Sequence, residues 1–368
     1  MSRRVLFVTL SGAGHINPTL GVVAELQARG HQVRYASGED VAGVERVALP
    51  QLPPFVPRVG EFVDILGAWY LHYFGATAAA YPVLRAHIAA DPPDIVCYDA
   101  TNWPARLIAA EFGIPAVRTV PHLASNAHYQ LDRGLPDDHP AALALADQCA
   151  RFAADNAVDL NPASLFDAVE DLNLVFVPRE FQPAGDTFDD RFRFVGPTAR
   201  QPQESWEPPS DKVLYVALGS ILTDVSFYRR CIAAFAHSDW HVAMTIGDVD
   251  PAELGEIAPN FDIRPHFPQV AVLRHAAAFL THAGMNSTME ALYQGVPLIT
   301  SPRVPEQAAN AARIHELGLG IPLPDQGLRE TVVAFAADPA IRANLDRMQQ
   351  VMRNTGGAAQ AADEIEAR

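Results

Sequence analysis

The sequence predicts an α/β protein made of two doubly wound domains that face one another across a cleft. Three observations carry that expectation. The chain has 368 residues, against roughly 100–200 for a usual domain. Short apolar runs alternate with segments of helical period, the pattern of parallel sheets flanked by helices. The alternation breaks once, over residues 196–210, where G-P-T-A-R-Q-P-Q-E-S-W-E-P-P-S holds four prolines in fifteen residues, and then restarts. A segment of that composition, without periodicity, reads as a linker. The expected organisation is a first domain over 1–196, a linker over 197–211, a second domain over 212–354 and a closing segment over 355–368.

The elements follow in order. Residues 5–10 read as a buried strand. Asn17-Pro18 reads as the N-cap and first-turn proline of a helix that stops at Gly30. Strands are expected over 32–36, 95–98, 116–120 and 174–178, with helices over 63–90, 103–112, 139–156 and 163–170. After the linker, strands are expected over 213–218, 241–246, 277–280 and 297–300, with helices between them.

Composition excludes several functions. Lys and Arg total 27 against 43 Asp and Glu, a formal charge of −16, which repels nucleic acid and anionic membranes. Lys212 is the only lysine and Val213 follows it, so there is no phosphate-binding G-x-x-x-x-G-K-[ST] loop. An anionic ligand must therefore be held by a locally positive pocket built without lysine. Cys97, Cys149 and Cys231 are isolated and odd in number, which points to reduced thiols in the cytoplasm. The apolar run at the start is too short for a signal peptide, and no stretch approaches the ~18 apolar residues of a membrane span.

Three loops carry residues suited to chemistry. In S-G-A-G-H-I-N-P (residues 11–18), His15 lies near the positive end of a helix dipole, which favours neutral imidazole, the form a general base needs. Asp99 follows the strand 95–98 and is expected at the same sheet edge. A carboxylate there would fix the imidazole tautomer and stabilise its cation; the alternative is that Asp99 caps the next helix. In F-L-T-H-A-G-M-N-S-T-M-E (residues 279–290), a strand ends, His282 and Gly284 turn the chain, and a helix begins near Asn286. Exposed N–H groups, the Ser287 hydroxyl and His282 form an anion site. Glu290, one turn along the same face, can accept from the two hydroxyls of a ribose. Gly219 and Ser220 end the first strand of the second half and can add to the phosphate site. Glu306 and Gln307 at a helix start suit sugar hydroxyls. Asp248 and Asp250 form a D-x-D, but D-P-A-E (residues 250–253) reads as a capped helix start rather than a metal site.

These residues together resemble a family-1 glycosyltransferase of the two-Rossmann-domain, GT-B type, nearest to bacterial enzymes that glycosylate macrolides and other natural products. The resemblance covers essentially the whole chain and is strongest over 267–307, where F-x-x-H-x-G-x-N-S-x-x-E…G-V-P is highly specific. It implies inverting, metal-independent transfer from a UDP- or dTDP-linked sugar, which is a co-substrate, so that no resident cofactor is expected. It makes the first domain acceptor-binding and the second donor-binding, with the last helix crossing back to the first domain. By motif match His15 is the catalytic base and Asp99 its partner. Gly219, Ser220, His282, Gly284, Asn286 and Ser287 fall at diphosphate positions, Glu290 at the ribose, and Glu306 and Gln307 at the sugar. His266 stands where the family often has a Trp stacked on the base, ahead of Gln269, and Glu306 replaces the usual Asp. These departures leave the base and the sugar open.

For the acceptor, Phe55, Trp69, Phe74 and His122 are expected to line an apolar surface, with Tyr70 and Tyr73 beside them; at helical spacing such residues also serve as core. The rival readings are a GT-B-fold epimerase or phosphorylase, a non-catalytic nucleotide-sugar-binding protein, and an NAD-dependent oxidoreductase. Asn17, where a dinucleotide fingerprint needs Gly, weakens the last. Monomer and homodimer remain equally open.

Overall fold

The run R-V-L-F-V forms strand β1 (Arg4–Val8), buried along nearly all its length. A short β-branched, apolar segment is stabilised as a strand covered on both faces in a parallel sheet, and the chain repeats this device throughout. The structure, a computed structural model, describes residues 2–55, 61–131, 134–198, 204–219 and 223–368. It divides into two units, Met1–Thr198 together with Gly356–Arg368, and Ala199–Thr355.

In the first unit β1 is followed by α1 (Ala13–Ala28), β2 (Gln32–Ser37), β3 (Glu45–Ala48), α2 (Phe62–Ala90) and β4 (Ile95–Asp99). Then come α3 (Trp103–Phe112), β5 (Ala116–Val120), α4 (Pro140–Asn156), β6 (Asn173–Val175) and β7 (Phe192–Phe194). The strands pair in parallel in the order β3-β2-β1-β4-β5-β6-β7. Strand period sorts the core: Leu6, Val8, Val96 and Tyr98 pack with Leu84 of α2, Ile108 of α3 and Leu145 of α4. Val5, Phe7, Ile95 and Cys97 point to the other face and pack with Val22 of α1. The winding reverses between β1 and β4, so the loops after these two strands diverge at their carboxyl edge, where open α/β sheets take ligands.

The second unit repeats the plan with β8 (Val213–Ala217), α5 (Val225–Phe235), β9 (His241–Thr245), β10 (Phe261–Arg264) and α6 (Gln269–Leu273). It continues with β11 (Ala276–Thr281), α7 (Met285–Gln294), β12 (Leu298–Thr300), α8 (Pro305–Glu316), β13 (Gly320–Pro322), α9 (Leu328–Ala336) and α10 (Pro339–Asn354). Its parallel order is β10-β9-β8-β11-β12-β13, with the reversal between β8 and β11. The closing helix α11 (Gly357–Glu366) returns to the first unit, where Ala361, Ala362 and Ile365 join the core beside Val22 and Leu26 of α1. Both halves are thus doubly wound, as expected.

Four local expectations are corrected. Helix α1 starts at Ala13, so His15 lies inside its first turn and Pro18 lies within the helix. Gly12, at φ 101°, makes the turn; the His15 and Ile16 N–H groups reach its carbonyl at 2.9 and 3.0 Å, and Glu39 Oε1 accepts its N–H at 2.9 Å. At Pro18 the helix forgoes the bond an N–H would have made to the Gly14 carbonyl, and the ring crowds that carbonyl. The helix expected over 163–170 reduces to a single 3₁₀ turn, Pro162–Leu165, capped by Asn161. Strands β3, β7, β10 and β13 were not anticipated. Trp206, inside the expected linker, is buried in the second unit, its ring 6.0 Å from that of His241 and 6.4 Å from that of Phe267. A large aromatic gains too much by burial to remain on a tether.

Candidate active site

His15 and Asp99 meet because their strands are neighbours. β1 pairs with β4, Val8 opposite Tyr98, and the chain leaves both strands at the same edge. His15 Nδ1 lies 2.9 Å from Asp99 Oδ2, the imidazole 34% exposed and the carboxylate 1% exposed. Asp99 Oδ1 accepts from the Thr101 N–H at 2.9 Å and from the Thr101 hydroxyl at 2.5 Å. Burial pushes the Asp99 carboxyl up, but the facing His15 ring, its hydrogen bond and the two Thr101 bonds outweigh it, and the group is held below the usual carboxylate range. An ionised carboxylate only accepts. The His15 proton therefore sits on Nδ1 and the lone pair on Nε2, the arrangement a base requires. Asp99 does not cap α3: the Asn102 side chain does, accepting from the Ala105 N–H at 3.3 Å.

The second unit builds its site at the equivalent position. β8 pairs with β11, Ala217 opposite Thr281, which brings Gly219 beside His282. A Cβ on Gly219 would lie 2.8 Å from His282 Nε2, and one on Gly284 would come closer still. The two glycines thus make room for the imidazole. Burial lowers the His282 pKa to about 4 against an opposing contact with the Ala217 backbone, so the ring is neutral at pH 7. Helix α7 begins at Met285, one residue before the expected start, with Gly284 at its N-cap, no side chain capping it and no acid in its first turn. The positive end of the helix dipole is left for an external anion.

Asn286 and Ser287 occupy that first turn, Ser287 buried. Gln269 Nε2 donates to Ser287 Oγ at 3.1 Å and to Glu290 Oε2 at 2.6 Å. Burial raises the Glu290 carboxyl, with the Gln269 bond opposing. Gln269 thereby joins the expected phosphate and ribose residues into one polar cluster, while His266 beside it is exposed.

With this geometry in place, comparison with known proteins is decisive. Residues 197–353 match the family described as UDP-glucoronosyl and UDP-glucosyl transferase. The NDP-glycosyltransferase YjiC of Bacillus licheniformis is 35% identical over 99% of this chain and 97% of its own. The chain belongs to this family. It is a glycosyltransferase. The demethyllactenocin mycarosyltransferase of Streptomyces fradiae is 35% identical over 98% of this chain and 86% of its own. The crystal structure of CalG4, the calicheamicin glycosyltransferase, superposes with a TM-score of 0.82 at 37% identity, covering 100% of this chain and 98% of the other.

The remaining expected site residues of this glycosyltransferase divide. Glu306 lies in the first turn of α8, and Gln307 Oε1 accepts from the Arg303 N–H at 2.8 Å. Phe55 and Trp69 are partly buried and meet edge-on at 5.2 Å. Phe74 is core, stacked on Trp103 at 5.3 Å, which corrects its expected place on an acceptor surface. His122 is buried, with Nδ1 donating to the Leu123 carbonyl at 2.8 Å. Ser220 lies outside the described residues. Asp250 accepts from the Ala252 N–H at 2.9 Å and caps a short helix. Among the described residues no cluster of three His, Cys, Asp or Glu is arranged to hold a metal ion, and no helix is long and apolar enough to cross a membrane.

Thr101 and Asn310 escaped the sequence reading, and Tyr73, expected beside the acceptor surface, takes a different place. Thr101 and Tyr73 extend the Asp99 network. Asn310 of α8, fully buried, donates from Nδ2 to the Ala283 carbonyl at 3.0 Å and secures a residue held at φ 63° between His282 and α7.

Proposed function

We propose that the protein inverts the anomeric centre of a nucleoside-diphosphate sugar, UDP- or dTDP-linked, while passing the sugar to a hydroxyl of a small apolar natural product. The observation that carries this is the buried, ionised Asp99 bonded to His15 Nδ1, which leaves Nε2 as a lone-pair acceptor. An alcohol must lose its proton as it attacks, and Nε2 takes it while Asp99 holds the resulting imidazolium. In the second unit the amides at the start of α7 and the His282 imidazole receive the departing diphosphate, a preorganised field needing no metal. Glu290, held by Gln269, accepts from the ribose hydroxyls, and Glu306 and Gln307 address the sugar. His266 offers its ring to the base. Phe55 and Trp69 supply apolar area for the acceptor, and the names of the mycarosyl- and calicheamicin glycosyltransferases support a natural-product acceptor.

The test is acceptor-dependent release of nucleoside diphosphate, measured with a panel of nucleotide sugars and hydrophobic phenols or macrolides in the presence of EDTA. Turnover should persist in EDTA and fall at least ~10²-fold in His15→Ala, with donor affinity retained. Diphosphate release that ignores the acceptor, or equal turnover in the variant, would overturn the reading.

A further inference from the structure

We propose that Tyr73 and Thr101 are positioning residues that set the orientation and basicity of His15 by acting through Asp99, an inference that rests on the base reading of His15. Three hydrogen bonds join these residues, two running in one sense from Tyr73 through Thr101 to Asp99 and the third reaching Asp99 from His15. Asp99 is ionised and can only accept, so the 2.5 Å contact commits the Thr101 hydroxyl proton to Asp99 Oδ1. With that proton committed, Thr101 Oγ1 must be the acceptor in its 2.9 Å contact with the Tyr73 hydroxyl. Tyr73 therefore donates to Thr101, Thr101 to Asp99, and His15 Nδ1 to the other carboxylate oxygen. Burial and the Asp99 charge both raise the Tyr73 pKa, which keeps the phenol a donor. Chains of hydrogen bonds polarised in one sense strengthen one another in a low-dielectric site.

The chain also has a defined origin. Tyr73 lies on α2, one turn from Trp69, with the two rings 6.1 Å apart, and Trp69 in turn meets Phe55. The helix that carries Trp69, one of the two proposed acceptor-facing aromatics, is thus bonded, through one hydroxyl, to the group that orients the base. The other titratable groups near Asp99 cannot take over this role. Tyr35 of β2 is pushed up to about 12 by burial and bonds to Thr9 and Thr19, and Cys97 of β4 is pushed up by burial. Glu39 is engaged by the Gly12 N–H.

The sign of the effect follows from the charge. Without the Thr101 hydroxyl, more negative charge resides on Asp99 Oδ2, the imidazolium is held more tightly, and the His15 pKa rises. Activity that needs neutral His15 is lost below that pKa, so the acid limb of the kcat profile moves to higher pH. Thr101→Val should lower kcat at least about tenfold through loss of orientation and move the limb up by about half a unit. Tyr73→Phe should shift it in the same direction by less, and Thr101→Ser should restore both values. Thermal melts of each variant establish that it is folded. An unmoved acid limb in folded Thr101→Val, or a change confined to acceptor KM, would overturn the proposal while leaving His15 as the base. Retained turnover in His15→Ala would instead overturn the reading beneath it.

Discussion

Gly219 and His282 are in van der Waals contact across the β8–β11 junction, so close that a Cβ on the glycine would reach 2.8 Å from Nε2. The glycine also sits at φ 86°. Glycine is therefore needed twice at this position, for the turn and for the ring.

Gly219→Ala should displace the imidazole and weaken donor binding, with a backbone cost of about 1–2 kcal/mol from the left-handed conformation alone. Calorimetric titration with UDP and dTDP reads the first effect and urea denaturation the second. In a His282→Ala background the same substitution should cost less, because the clash is removed and only the backbone term remains. Additive costs would refute the contact.

The low pKa of His282 gives a pH prediction. The group is neutral in the folded protein down to about 4, whereas it protonates in the unfolded chain near 6.5. As pH falls through 6.5 the unfolded state takes up the proton first, so stability declines between 6.5 and about 4 and is fully present above that window. His282→Asn should flatten the decline, as read by denaturant midpoints at half-unit steps. Parallel curves for the two proteins would show that the ring is not desolvated.

Much of this site was legible because its residues sit at strand ends, where apolar runs stop and polar letters begin. Asp99, His282 and Gly219 stand at the ends of strands whose cores are continuous buried runs, I-V-C-Y, A-F-L-T and V-L-Y-V-A. The unanticipated strands are the four sheet edges: E-R-V-A, F-R-F, F-D-I-R and G-I-P are only three or four residues long, interrupted by charged residues or by Gly and Pro, as suits strands with one unpaired flank. Pro18 misled for a related reason. Proline marks a helix start by propensity, yet the turn at Gly12, held by Glu39 from 27 residues away, already begins the helix. Thr101 and Asn310 gave no signal because a hydroxyl or amide two to four residues from a functional group is ordinary; only the fold turns them inward.

Asn310 yields the next prediction. Removing its amide in Asn310→Ala leaves the buried Ala283 carbonyl without its donor, at a cost of about 1–3 kcal/mol. It also frees the turn that presents His282, so donor affinity should fall with stability. Ala283→Gly relieves the strained φ of 63° and should offset part of the loss, about 1 kcal/mol. Guanidinium denaturation and UDP titration of the single and double variants check both. An Asn310→Ala protein with unchanged donor affinity would separate α8 from the phosphate loop.

The return of α11 to the first unit raises the question of which force holds it. Arg29, at the C-terminal end of α1, bonds Asp363 at 2.5 Å and Glu366 at 2.8 Å, and His31 meets Glu366 at 2.7 Å. Beneath these pairs, Ile365 is 1% exposed and Ala361 and Ala362 are fully buried. The carboxylates of these pairs face solvent, Asp363 at 68% and Glu366 at 34%, and such pairs gain little because water competes for the charge, while truncating a buried isoleucine forfeits about 2–5 kcal/mol. Ile365→Ala should therefore lower the first unit's stability far more than Glu366→Gln, and raising the salt concentration should widen the gap slightly by screening the ion pairs that Glu366→Gln removes. If Glu366→Gln proved the more damaging in urea titrations, the helix would be held by charge, and the apolar seam would be incidental.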